Sequence, residues 1–208
     1  MATINRTSIN IKFKKGVNTK TSTIKPKLER AKKKAFDSFM RDFRDHAVTR
    51  EIAAGPNASN SSGTLGGYGN LFSFIGFDGA DNPTMVIEAY ILNKLRKSIR
   101  LIPDTKRGGW KATFDIPSLD DIASLTPIPW ATGRSWVVGI QEGISGLGQY
   151  MYSTRAERYD SRSGTAFQAD TNIRGGGFRN MPYMVPLLKN LQKNLNEQIA
   201  FICGWRID

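Results

Sequence analysis

Apolar residues recur along this chain in two rhythms, every second position in short runs and every third or fourth in longer ones. Between them lie stretches with neither. From Ser8 to Lys14 the alternation puts Ile9, Ile11 and Phe13 on one side and Asn10, Lys12 and Lys14 on the other, which predicts a short half-buried strand. Gly16 to Pro26 reads as loop. Pro26 suits the first turn of a helix, and Leu28, Ala31, Ala35, Phe39 and Phe43, with Phe36 and Met40 beside them, form a stripe at helical spacing to about Asp45. Arg30, Lys32, Lys33 and Lys34 occupy the opposite face, so the spacing predicts an amphipathic helix with a basic exterior. Asp37, Asp42 and Asp45 lie there too, which argues against membrane binding.

Leu71 to Phe77 is apolar on both faces and predicts a strand covered on both sides or paired with another subunit. Ile87, Ile91, Leu95 and Ile99 recur at a spacing of four and predict a second, shorter helix. Trp110–Ile116 and Arg134–Gln141 are two further strand candidates, joined by a Pro-rich, acidic link holding Pro117, Asp120, Asp121, Pro127 and Pro129. Leu187, Leu188, Leu191 and Leu195 mark a third helix from Pro182 to Asn196, and Ile199–Ile207 alternates as a closing strand. These elements predict an α+β fold, a mostly antiparallel sheet packed by two or three helices, with long loops and arms.

The stretches without rhythm complete the organisation. Gly55–Gly69 is built of Gly, Asn, Ser and other loop formers directly before LFSFIGF, and Gly143–Arg179 is glycine-rich with Tyr150, Tyr152, Tyr159, Phe167 and Phe178 scattered through it. Loops beyond about 15 residues are uncommon inside one domain, so such aromatics are expected to bury against a neighbour. The expected layout is a basic arm with a short strand over residues 1–25, then a single α+β domain over 26–208 with extended loops at 53–70 and 143–180. No fixed-period repeat is present.

Composition adds scale. With 208 residues, 39% hydrophobic and 10% aromatic, the chain can bury a real core. Its charge adds direction: Met1–Arg50 holds fourteen Lys and Arg against four acids, a balance of +10, which leaves +2 of the total +12 for the remainder. So one-sided a distribution fits a segment lying against a polyanion or an acidic protein surface, or a solvated face that keeps the protein in solution. One cysteine, Cys203, excludes an intrachain disulfide framework and a Cys-based zinc cluster, consistent with maturation in a reducing compartment. Neither a signal-peptide core nor a run of about 18 apolar residues is present, so the expectation is a protein with no membrane segment.

Candidate chemistry is sparse. His46 is the sole histidine, and Cys203 sits in an apolar run that favours a structural thiol. GISGL at Gly143 has Leu147 where a nucleophile elbow needs glycine, Gly67–Phe72 lacks the third glycine of a dinucleotide fingerprint, and no phosphate-binding P-loop occurs. Asp120 and Asp121 suit a turn or helix cap. An enzyme is not expected, nor any cofactor or metal. Two classes remain: a homo-oligomer subunit whose loops order on assembly, or a basic nucleic-acid-binding module.

HAVTREIAAGPNASNSSGTLGGYGNLFSFIGF (His46–Phe77), LNKLRKSIRL (Leu92–Leu101) and PIPWATGRSWVVGIQEGISGLGQYMY (Pro127–Tyr152), following an amphipathic helix, resemble the tail-completion or neck proteins of tailed bacteriophages over roughly residues 27–152. That resemblance implies an α+β subunit in a ring of six or twelve copies between portal and tail, with DNA passing through the lumen. It implies a virion protein, assembled in the host cytoplasm, that contacts portal, adaptor and tail proteins. Tail terminator and portal adaptor rings of the same region are the alternatives. On this reading Tyr68, Phe72, Phe74, Tyr150, Tyr152, Phe167 and Phe178 are subunit-interface candidates, with intrachain core the competing role for Phe72 and Phe74. Lys12, Lys14, Lys15, Arg30, Lys32, Lys33 and Lys34 are the candidates for DNA or an acidic partner.

Overall fold

A computed structural model describes residues 8–12, 21–65, 69–103, 110–129, 131–143 and 178–203. In these residues the chain is mixed helix and sheet: seven α-helices, a three-stranded sheet and a two-stranded one, all pairings antiparallel. The expected balance is therefore corrected. Helices carry most of the structure and the sheets are small. The chain divides into two compact units, one of Met1–Asp42, Glu88–Leu119 and Val185–Asp208, the other of Phe43–Ile87 and Asp120–Met184.

The first unit draws on helix α1 (Thr21–Asp45), which begins before Pro26. A boundary between arm and domain at residue 25 thus falls inside a helix. Ile24 explains the difference: it extends the Leu28 stripe by one turn and is buried, and that burial outweighs the backbone hydrogen bond Pro26 cannot donate. Ala31, Ala35, Phe36, Phe39 and Met40 continue the buried stripe as expected. The three-stranded sheet is ordered β1 (Ser8–Lys12), β3 (Trp110–Asp115), β2 (Arg100–Pro103), with Ile9 opposite Phe114 and Leu101 opposite Ala112. Along the central strand Ala112 and Phe114 are buried while Lys111, Thr113 and Asp115 are half-buried, the alternation a pleated strand imposes. Helix α4 (Pro83–Arg96) starts earlier than the Ile87 expected, with Pro83 at its first position.

In helix α7 (Met184–Cys203) the stripe Leu187, Leu188, Leu191 and Leu195 runs on to Ile199, so the closing strand expected from Ile199 is helix as far as Cys203. Alternation in the closing run competes with the four-residue spacing from Leu191 through Leu195 to Ile199, and the spacing that continues an existing buried face prevails.

The second unit holds α2 (Ala47–Ala53), a 3₁₀ turn at Gly55–Asn57, α3 (Leu71–Ile75), α5 (Leu119–Leu125) from Asp120 onward, α6 (Trp136–Glu142) and the pair β4 (Pro127–Ile128) and β5 (Ala131–Ser135). Two expected strands are helices here. Leu71–Phe77 folds as α3 because both of its ends are capped. Asn70 Oδ1 accepts from Ser73 N at 2.9 Å, and Gly76 adopts a left-handed φ of 85°. Beyond that glycine, Phe77 N donates to Phe72 O at 3.3 Å and Gly76 N to Ser73 O at 3.2 Å, while the Phe72 and Phe77 rings meet at 5.4 Å. Paired return bonds with an apolar contact across them form a Schellman stop. Arg134–Gln141 is likewise mostly α6, with Ser135 Oγ capping Val138 N at 3.3 Å.

Gly55–Gly69 was expected to be an arm ordered by a neighbour. Its described residues are instead tied to their own unit. The Glu51 carboxylate, 1% exposed, accepts from Ser62 N at 2.8 Å through Oε2 and from Leu71 N at 2.7 Å through Oε1. Asn70 Nδ2 donates to Pro56 O at 2.8 Å, the Ser62 and Thr64 hydroxyls share a hydrogen bond of 2.9 Å, and Leu65 is buried. One carboxylate thus holds the loop and the start of the next helix together. A buried backbone amide needs such a partner.

Candidate functional site: the outer face of helix α1

Helix α1 turns its buried stripe to one side, and what remains outward is set by the 3.6-residue period. Lys27, Arg30, Lys34 and Arg41, spaced three, four and seven apart, fall on a single exposed row, with Lys33 exposed to one side of it and Lys25 exposed on the far side of the first turns. Three of the four acids of α1 are engaged, and the fourth, Asp45, is exposed one turn beyond Arg41. Asp37 pairs with Lys33 at 2.7 Å, and Glu29 Oε1 accepts from Ile99 N at 3.0 Å. Arg41 Nε lies 3.8 Å from Asp42 and its Nη2 donates to Ser38 Oγ at 3.2 Å, while its side chain stays 69% exposed. Among the described residues no acid lies at ion-pair distance from Lys27, Arg30 or Lys34.

Lys32 departs from expectation. It is fully buried, its Nζ donates to Leu95 O at 2.8 Å and to Lys97 O, and it lies 5.7 Å from the Phe36 ring centroid. Those carbonyls are at and just beyond the C-terminus of α4, where unpaired carbonyls favour a cation. Burial lowers the Lys32 pKa from its ordinary value, against the raising influence of Glu29 and Asp115. Lys32 is therefore a helix-end fastener, removed from the partner-binding candidates. Its spacing carried the signal, since Lys32 stands four residues after Leu28 and four before Phe36 and so falls within the buried stripe. Lys27 and Arg41 were missed as row members, although their spacing from Arg30 and Lys34 carries the signal.

Asp115 anchors the same unit by accepting from Lys94 Nζ at 2.9 Å and Lys97 Nζ at 2.7 Å. Burial would raise its pKa, but the two ammonium groups together prevail and hold it below the ordinary carboxylate value.

Of the interface candidates, Phe72 is 1% exposed and belongs to the core, so it has no surface to offer a neighbour. Phe74 and Phe178 are brought together: their rings stack at 5.6 Å and 11°, both half-buried. Lys14, Lys15, Tyr68, Tyr150, Tyr152, Phe167 and most of the 143–180 loop lie outside the described residues, as do Tyr159 and the side chains of Lys12 and Cys203. Arg30, Lys33 and Lys34 are exposed as expected.

His46 and Tyr183, in the second unit, are committed to structure. His46 Nδ1 accepts from Val48 N at 3.3 Å, capping α2, and the ring sits 4.9 Å from that of Tyr183. Burial lowers the His46 pKa, opposed by its backbone hydrogen bond with Pro182, so the imidazole is neutral at pH 7. Tyr183 is fully buried against Phe43 and Trp136, its hydroxyl bonds that of Thr49 at 2.9 Å, and burial raises its pKa far above the ordinary phenol value. A cleft of about 590 Å³ opens beside Ser124, Ile128, Arg134, Ser135 and Glu142. The Ser135 hydroxyl in it shares a 2.8 Å hydrogen bond with Thr126 and caps α6.

Among the described residues no group of three His, Cys, Asp or Glu is arranged to hold a metal, and no helix is long and apolar enough to cross a membrane. Comparison with family models, curated proteins and solved structures gives no significant match. Within the cationic row, Lys27, Arg30 and Lys34 have no ion-pair partner among the described residues, while Arg41 bonds Asp42 and Ser38.

Proposed function

We propose that this protein is a structural subunit of a tailed-phage particle, forming a closed homo-oligomeric ring of six or twelve copies in the neck, where DNA passes. The observation that supports the reading is the outward row Lys27, Arg30, Lys34 and Arg41, a cationic strip on a rigid helix beside residues whose polar chemistry is spent on structure. The resemblance over residues 27–152 supplies the station, between portal and tail, and tail terminator and portal adaptor rings belong to the same proposal. Partners are other copies of this chain and the adjoining portal, adaptor and tail rings, in a virion assembled in the host cytoplasm. No catalytic step is assigned.

Native mass measurement and electron microscopy of the purified chain test it. A closed cyclic species of six or twelve copies is the expected result, and a strictly monomeric protein at high concentration overturns the ring. The same cationic row favours a second reading, a basic nucleic-acid-binding module acting outside any ring, which predicts DNA binding by the monomer.

A further inference from the structure

We infer that the row Lys27, Arg30, Lys34 and Arg41 binds the phosphate backbone of duplex nucleic acid without reading its sequence. This goes beyond the ring: a ring can form around DNA it never touches, and a monomer can bind DNA without forming one.

The surface itself selects the partner. Between Ser22 and Arg41 the exposed positions of α1 hold six cations against one acid, Asp37, which Lys33 already neutralises. Pro26 is the sole carbon-rich side chain among them; the others are charged or bear hydroxyls. Protein interfaces draw most of their energy from a few Trp, Tyr and Arg anchors seated in pockets, and this face offers arginines but no aromatic. Single-stranded nucleic acid is held by bases stacking on exposed aromatics, whereas Phe36 and Phe39 of this helix are buried. Phosphates need only cations, and contacts to them position a duplex without carrying sequence information.

Geometry agrees with charge. From Lys27 to Arg41 the helix rises about 21 Å, at ~1.5 Å per residue, along a straight and rigid support. A duplex presents its charges at regular spacing over such a length, so several phosphates come within reach of long Lys and Arg side chains. Of the four acids of α1, Glu29 is turned to the Ile99 amide, Asp37 to Lys33 and Asp42 to Arg41, and Asp45, exposed one turn beyond Arg41, sets one negative charge at the C-terminal end of the row.

Fluorescence anisotropy of labelled duplex DNA, about 24 base pairs in two unrelated sequences, tests the inference on the full chain. Both duplexes should bind alike. If each of the four cations neutralises one phosphate, the slope of log affinity against log salt for Lys27→Gln/Arg30→Gln/Lys34→Gln/Arg41→Gln is shallower by about 3.6, at ~0.9 per phosphate. The four then account for a roughly 150-fold share of the affinity lost between about 50 and about 200 mM salt. Lys189→Gln/Lys193→Gln, two exposed lysines on α7, should leave the slope unchanged. Circular dichroism and Tm confirm that the quadruple variant folds, as substitutions at exposed positions should allow. No duplex binding at low salt, or an unchanged slope in the quadruple variant, overturns the proposal. So does tighter row-dependent binding of polyglutamate than of duplex at equal charge, which would assign the row to an acidic protein. Oligomeric mass, measured separately, reports on the ring alone.

Discussion

Helix α1 and the described residues of the segment from Gly55 to Phe77 are held in place by different means. In α1 a periodic set of apolar residues, Ile24 through Phe43, buries one face, and no single contact decides the outcome. In the 55–77 segment the order comes from individual polar atoms: two carboxylate oxygens of Glu51, the amide of Asn70, and the glycine stop at Gly76. Periodic burial is distributed and tolerant, whereas point bonding is concentrated. Substitutions should therefore hurt most where one side chain serves several backbone groups.

The sharpest break is Glu51→Ala, which leaves the buried amides of Ser62 and Leu71 without an acceptor. At about 1–3 kcal/mol per orphaned group, a loss of about 2–6 kcal/mol is expected in urea unfolding, together with new proteolytic cleavage between residues 55 and 70. An unchanged midpoint would show that the loop has another anchor.

Next comes Lys32→Met, a place where α1 also depends on point bonds. It keeps the stem's volume but strips the Leu95 and Lys97 carbonyls of their donor, and should cost about 1–3 kcal/mol in the same measurement. Lys34→Gln, two residues on but exposed, should stay within about 0.5 kcal/mol. Equal losses for the two would return Lys32 to the surface. Gly76→Ala places a side chain at φ 85° and should cost about 1–2 kcal/mol, read as a lowered Tm.

A smaller effect follows from His46. Its folded pKa lies below the ordinary 6.5, so the unfolded chain takes up a proton that the folded one resists. This contribution to stability is present above pH 6.5 and is lost as the pH falls below it toward the folded pKa. His46→Asn retains a capping acceptor but cannot titrate, so the decline in Tm between pH 7.5 and 5 should be shallower than in the parent. Equal declines would mean that other groups dominate that range.

Legibility in the sequence follows the same division. The stripes of α1 and α7 and the strand at Trp110–Ile116 were readable because burial repeats at a fixed period over many residues. LFSFI was misread as strand because five apolar residues fit either period, and Asn70 before them with Gly76 after them was the signal that decides for helix. Within the cationic site, Arg30 and Lys34 were evident from composition, while Lys27 and Arg41 join them only once the helical register is followed along its whole length. Phe72 was set aside from the interface because its ring closes the Schellman stop against Phe77.

By itself the sequence determined that a basic, amphipathic helix comes after a short first strand, that further helices and short strands follow, and that the sequence carries no ready-made catalytic motif. Those properties depend on neighbours within a few turns, and local spacing carries them. Only the tertiary structure decided that Lys32 meets the Leu95 and Lys97 carbonyls, and that Glu51 reaches across to Ser62 and Leu71 to fasten a loop that looked free. Both depend on backbone groups, some of them far away in sequence, meeting one side chain. No local pattern encodes such a meeting, because a carbonyl or an amide has no residue identity to read.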